Sequence, residues 1–254
     1  MIKIESWFIL RTEKRNKDVI QHPAKFPEEL VKKCILTFTK EGDKVLDPMS
    51  GTGTVNFVCR MIEREGYAIE LEEKYYKIAQ SRQKQKSLFS QIPQHFFCGD
   101  CRNIKDFNIP VVDYILTSPP YWDSLKRSSI RQKKRKKMGL ETEYSSNNQN
   151  LENIQSYEDF VNTLFNIYFL LKNWLKKGGF LTIIINNVFK EGKVYPLAYN
   201  LTKELSKEYT FVGENIWCQD DKPLIALGIN NAYVGNRHHV YILNFKNSKK
   251  IAGD

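Results

Sequence analysis

The sequence predicts a doubly wound α/β fold, with a mostly parallel sheet, helices on both faces and an antiparallel hairpin at one edge. Three observations lead there. Short apolar runs alternate with helix-like segments along most of the chain, a glycine-rich turn joins the first clear strand to a helix, and the last two strand candidates lie close enough to pair as a hairpin.

The elements follow in order. "FPEELVKKCILTF", residues 26–38, sets Leu30, Cys34, Ile35 and Phe38 on one helical face, with Pro27 in the first turn, where a missing N–H costs nothing. Residues 42–83 read as strand, glycine-rich turn, helix, strand and helix, which is a βαβ unit. "HFFCGD" and "VVDYILTS" add two short apolar strands, each after a polar or helical spacer. Residues 157–188 read as a long amphipathic helix, a Gly-Gly C-cap and a buried strand. A helix-like piece over 196–207 precedes the hairpin strands "YTFVGENIWC" and "HHVYILNF", and no internal repeat is visible.

A chain of 254 residues with this apolar content suits one α/β domain spanning 1–254. One long interruption, 123–156, lacks any sustained period, and loops of that length inside a domain are uncommon unless functional or disordered. It holds eight basic residues and no acid within 126–137: Lys126, Arg127, Arg131, Lys133, Lys134, Arg135, Lys136 and Lys137. Without them the formal charge of +10 would fall to +2, so the basic excess is local. Such a run serves as a solvated loop, a nuclear-localisation patch or a nucleic-acid contact, and its neighbours favour the last.

The five cysteines sit mostly inside apolar patterns, as reduced intracellular thiols do. Cys98 and Cys101 have the spacing of half a zinc site, but no second pair completes one, so no metal is expected. His22, His95, His238 and His239 lack ligand or triad partners and are expected to be structural. The N-terminus is too charged for a signal peptide and no apolar run is long enough for a membrane span, so a soluble, cytoplasmic protein is expected.

Two stretches carry chemistry. "DPMSGTGT" (Asp47, Pro48, Met49, Ser50, Gly51, Thr52, Gly53, Thr54) follows a strand and opens a helix, where glycines let the backbone approach a ligand and the helix start offers free N–H groups. It is neither a Walker loop nor a G-x-G-x-x-G fingerprint. Glu70, ending the next strand, suits two ribose hydroxyls, and Asp100, after the third, suits an adenine amino group. A solvated Glu70 and a helix-capping Asp100 are the structural alternatives. "TSPPYW" ends a buried strand on Pro119 and Pro120, which have no N–H and hold Ser118 and Tyr121 on a stiff exit. That exit serves as a strand terminator or as a pocket wall for a flat ligand.

Together these stretches resemble the S-adenosylmethionine-dependent amino methyltransferases of DNA over nearly the whole chain. "HPAKFPEELV" resembles the motif before the cofactor loop, "DPMSGTGT" the loop, "AIELEEKYYKIA" the ribose-binding segment, and Ser118, Pro119, Pro120 and Tyr121 the catalytic tetrapeptide. The resemblance implies a Rossmann-like methyltransferase sheet and S-adenosyl-L-methionine as cofactor. Phe26 would cover the methionine portion, or else pack the helix start. It further implies double-stranded DNA as substrate, transfer to the N4 amine of a flipped cytosine, and a restriction-modification setting with a cognate endonuclease. Ser118 at the first catalytic position leans towards cytosine, with adenine N6 as the alternative. A tRNA or RNA base methyltransferase and a catalytically silent DNA-binding subunit are further readings. Relatives with this motif order often carry a separate recognition domain after the core. Target recognition is therefore expected from 123–156 or from another protein.

Overall fold

The structure, a computed structural model, describes residues 5–11, 26–84, 92–120, 122, 150–221 and 238–248. In chain order the elements are β1 (Trp7–Ile9), α1 (Glu28–Phe38), β2 (Lys44–Asp47), α2 (Thr54–Met61), β3 (Glu65–Glu70), α3 (Glu73–Lys84), β4 (Gln94–Cys98) and β5 (Val112–Thr117). Then come α4 (Tyr157–Leu171), β6 (Leu175–Ile185), β7 (Val188–Lys190), β8 (Lys193–Tyr195), α5 (Leu197–Leu205), β9 (Thr210–Cys218) and β10 (His239–Lys246). Two 3-10 turns joined at Asn103 cover Cys101–Asp106, and single ones cover Leu151–Asn153 and Lys172–Trp174.

Eight strands form one sheet in the order β1-β9-β10-β6-β5-β2-β3-β4. Every neighbouring pair is parallel except those that β10 makes with β6 and β9, so β10 alone runs against the rest. Alternation along each strand feeds two cores, one on each face. On β5, Tyr114 and Leu116 point into the core under α1 and α2, while Val112 and Ile115 point into the core under α4 and α5. Ile115 and Tyr114 are fully buried. Cutting such a side chain back to alanine costs about 2–5 kcal/mol.

The expected hairpin β9–β10 is present, but it lies one strand in from the edge. The three-residue β1 pairs parallel to β9 outside it, Phe8 opposite Trp217. Gly178 and Gly179 do not cap α4. That helix ends at Leu171, and both glycines lie inside β6. The reason is local: β5 and β6 shift register between Val112 and Tyr114, and a Cβ on Gly179 would stand 2.7 Å from the Asp113 carbonyl. Pro27 sits at the N-cap of α1, one residue ahead of the first turn. The short β7–β8 hairpin turns through Glu191 and Gly192, both at positive φ, as a two-residue hairpin requires.

Candidate active site

The sheet reverses its order between β2 and β5. The chain continues from β2 outward to β3 and β4, but from β5 in the other direction to β6. The two strands are adjacent and parallel, Val45 opposite Tyr114 and Leu46 opposite Ile115, so their carboxyl ends finish level with one another. Ligands of open α/β sheets collect at such a point. A cavity lies there. Asp47, Pro48, Met49, Ser50, Gly51, Thr52 and Thr54 line it from the β2 side, and Ser118, Pro119 and Pro120 from the β5 side. Phe26, Glu70 and Asp100 line it as well.

Backbone hydrogen bonds hold the glycine turn. Asp47 Oδ1 accepts from the Met49 N–H at 3.1 Å, Ser50 N–H donates to the Ile69 carbonyl at 2.9 Å, and Gly53 N–H donates to the Ser50 carbonyl at 2.9 Å. Gly51 and Gly53 have φ of 54° and 71°, where a side chain would be strained. Their purposes differ. Gly51 lines the cavity, whereas Gly53 does not; a Cβ there would meet Ala79 Cβ at 2.9 Å, so Gly53 seats the turn on α3. From α3, Arg82 donates to the Thr52 carbonyl at 2.7 Å, pairs with Glu28 at 3.2 Å, and lies over the Phe57 ring. One guanidinium thus joins the turn to the start of α1, two residues after Phe26.

Two buried carboxylates set the electrostatics. Asp47 is 6% exposed, and burial pushes its carboxyl up to about 7, against the Met49 N–H and with help from the Glu70 charge. Burial likewise pushes Glu70 up to about 7, against the N–H groups of Glu72 and Gly51 that its oxygens accept, at 2.9 and 2.6 Å. Each of those oxygens keeps a further lone pair. Asp100 is the N-cap of the following 3-10 turn, accepting from the Arg102 N–H at 2.9 Å and pairing with the Arg102 guanidinium. Capping therefore accounts for its hydrogen bonds, while its side stays on the cavity wall. The hydroxyl of Ser50 is buried here without a partner among the described residues, and that of Thr117 faces the Asp47 carboxyl. Phe26 packs edge-on against Trp217 at 6.3 Å.

Sequence reasoning missed several wall residues: Tyr75, Arg102, Asn150, Leu151, Ile167 and Ile184. Asn150 and Leu151 are the first residues described after Trp122, and they lie on the wall of the same cavity as Pro120. Trp122 is core, 3% exposed. Tyr121 and the basic residues Lys126, Arg127, Arg131, Lys133, Lys134, Arg135, Lys136 and Lys137 lie outside the described residues. Cys98 is exposed and Cys101 buried, and among the described residues no three ligand-type side chains cluster as a metal site would require. No described helix is long and apolar enough to cross a membrane.

The donor set suits a nucleoside that carries positive charge. The buried carboxylates gain by facing a cation or accepting from hydroxyls, the orphaned Ser50 hydroxyl needs a partner, and Phe26, Met49 and Tyr75 offer apolar wall. S-adenosylmethionine, with its ribose hydroxyls and sulfonium, meets each requirement. In fold, the chain is similar to a SAM-dependent methyltransferase from Methanosarcina mazei, at a TM-score of 0.52 and 9% identity, over 85% of this chain and 98% of that one. In sequence it is 43% identical over 67 residues to the Type II methyltransferase M.HpaI of Haemophilus parainfluenzae, a match covering 26% of this chain and 21% of the relative. It is 51% identical over 61 residues to the Type II methyltransferase M.Cfr9I of Citrobacter freundii, 24% of this chain and 20% of the relative. The matched stretches thus span about a fifth of those relatives. The family model described as DNA methylase matches residues 3–81 and 112–252, well over half of the sequence, and the chain belongs to that family of S-adenosylmethionine-dependent DNA amino methyltransferases.

Proposed function

We propose that the protein methylates an exocyclic amine of a base in double-stranded DNA, with cytosine N4 as the favoured target and adenine N6 as the alternative. What carries the reading is a cavity at the β2–β5 switch point that the glycine turn and Ser118, Pro119 and Pro120 line together. Bound cofactor supplies an electrophilic methyl on its sulfonium. In this reading Glu70 accepts from the ribose hydroxyls, Asp100 faces the adenine, Phe26 covers the methionine portion, and Asp47 faces positive charge.

An exocyclic amine is a poor nucleophile because its lone pair is delocalised into the ring. The Ser118 hydroxyl and the Pro119 carbonyl accept its two N–H bonds and turn the lone pair towards the methyl. The bound cofactor would give up its methyl as the N–C bond formed, the C–S electron pair going to sulfur, and the cationic nitrogen would then release a proton to solvent. Ser118 orients and does not deprotonate, since a hydroxyl is too weak a base at neutral pH. Tyr121 offers a π-face to a base rotated out of the duplex, where a stacked amine would be out of reach.

Charge supports a polyanionic substrate. The carboxyl ends of β1, β5 and β9, which precede residues 12–25, 123–149 and 222–237 in sequence, lie at the same end of the strands as the cavity. Together those three stretches contain fourteen basic and five acidic residues. Lys126 to Lys137 would hold phosphates beside the target base, adding affinity without base readout. The Type II relatives suggest a restriction-modification setting with an endonuclease partner. Mass spectrometry of nucleosides from DNA incubated with the protein and labelled cofactor tests the reading. Labelled N4-methylcytosine is expected, N6-methyladenine would select the alternative, and label in RNA alone would overturn it.

A further inference from the structure

Trp122 follows the tetrapeptide directly, and its contacts reach three separate elements and the stem ahead of α4. It is 3% exposed, and its indole N–H donates to the Ile154 carbonyl at 2.8 Å. The ring packs against Tyr157 at the start of α4, with centroids 5.3 Å apart, and edge-on against Tyr195 at the end of β8, at 5.0 Å. The Lys190 ammonium of β7 stands 4.4 Å from the ring centre. Tyr157 and Tyr195 touch one another at 4.8 Å, and Asn200 of α5 donates to the Tyr157 hydroxyl at 2.9 Å.

The placement of that indole hydrogen bond matters more than its strength. The chain leaves the cavity at Pro120 and rejoins its wall at Asn150 and Leu151. The bond from Trp122 to Ile154 crosses 32 positions of sequence and ties the outgoing stem to the returning one. The aromatic bracket of Tyr157 and Tyr195 then fixes both stems against α4 and the β7–β8 hairpin. Resting on the methyltransferase reading above, we propose that Trp122 is a positioning residue. It touches neither cofactor nor base, and acts by holding Pro119 and Pro120 in the register that the amine acceptors require.

An acceptor array moved by about 1 Å can lose about a hundredfold in rate, so a partly loosened staple is expected to cost about tenfold in kcat. Two variants probe it. Trp122→Phe keeps an aromatic ring and removes the N–H donor, and Tyr195→Leu leaves Trp122 in place but removes one wall. Hydrogen exchange on the protein without DNA should rise at the amides of Asn150 to Ile154 in both variants, while α1 and α3 keep wild-type protection. With DNA and labelled cofactor, kcat should fall about tenfold while cofactor Kd stays within about twofold. Wild-type exchange in the returning stem of Trp122→Phe would overturn the staple. Raised exchange with unchanged kcat, or a drop in kcat matched by weaker cofactor affinity, would overturn the positioning role. Exchange does not depend on methyl transfer, so wild-type protein that leaves DNA unlabelled would count against the functional reading and not against the staple.

Discussion

Asp47→Asn separates what the site costs the fold from what it does for the ligand. In the folded, ligand-free protein the Asp47 carboxyl holds its proton up to about pH 7, because burial disfavours the charge. In the unfolded chain it ionises near 3.8, the ordinary aspartate value. Between those values the native state binds more protons than the unfolded state, so stability falls as pH rises, by about 1.4 kcal/mol per pH unit, and levels off above about pH 7. Asparagine keeps the Met49 N–H bond and has nothing to ionise. From about pH 5 to about pH 8, wild type should therefore lose about 3 kcal/mol relative to Asp47→Asn. Glu70 is present in both proteins, so its own burial cancels, and what remains of it in the difference is its repulsion of the ionised Asp47. Denaturant unfolding of both ligand-free proteins at the two pH values measures this directly. Parallel behaviour, with the stability difference unchanged between the two pH values, would refute the buried-carboxylate account. The same variant should bind cofactor far more weakly, since the anion facing its positive charge is gone.

Other expectations follow from the same geometry. Ser118→Ala and Tyr121→Ala should each lower turnover strongly with cofactor affinity near wild type; loss of cofactor binding as the main effect would count against their assignment to the amine. Wild-type affinity for cofactor should tighten as pH rises through about 7, with protons released on binding, because Asp47 must ionise to face a cation and Glu70 must ionise to accept from both ribose hydroxyls. Calorimetry in buffers of different ionisation enthalpy reads that release, and zero release near neutral pH would contradict it. Arg82→Gln should weaken cofactor binding several-fold at unchanged kcat, because it frees the Thr52 carbonyl and Glu28 from their common partner. Neutralising Lys133, Lys134, Arg135, Lys136 and Lys137 should flatten the salt dependence of DNA binding by about 0.9 in slope for each phosphate that is no longer neutralised. An unchanged slope would mean the run points away from DNA.

The parallel core was legible because its strands are continuous apolar runs separated by helices, and Tyr114 to Leu116 or Leu181 to Ile185 could hardly be anything else. Strand β1 was not legible. Three residues beside a charged segment carry no alternation, and only pairing with β9 makes them a strand. The glycines at 178 and 179 misled for a related reason: a Gly-Gly after a helix usually ends it, whereas here it makes room for the Asp113 carbonyl across the sheet. At the site, the chain order of motifs pointed to both walls near β2 and β5. Arg82, Asn150 and Leu151 reach the same place only through tertiary contacts, and nothing in their local sequence marks them. Gly53 shows the converse, a motif residue whose space is filled by Ala79 and Phe96 rather than by ligand. Asp100 is both wall and cap, so a choice between the two was never required.

The most direct test is a crystal structure with the demethylated cofactor, S-adenosylhomocysteine. The account predicts its ribose on Glu70 and its sulfur facing Ser118 and Pro119, with room between them for one amine and one methyl group. A ligand bound elsewhere, or seated with its sulfur turned away from Ser118 and Pro119, would contradict it.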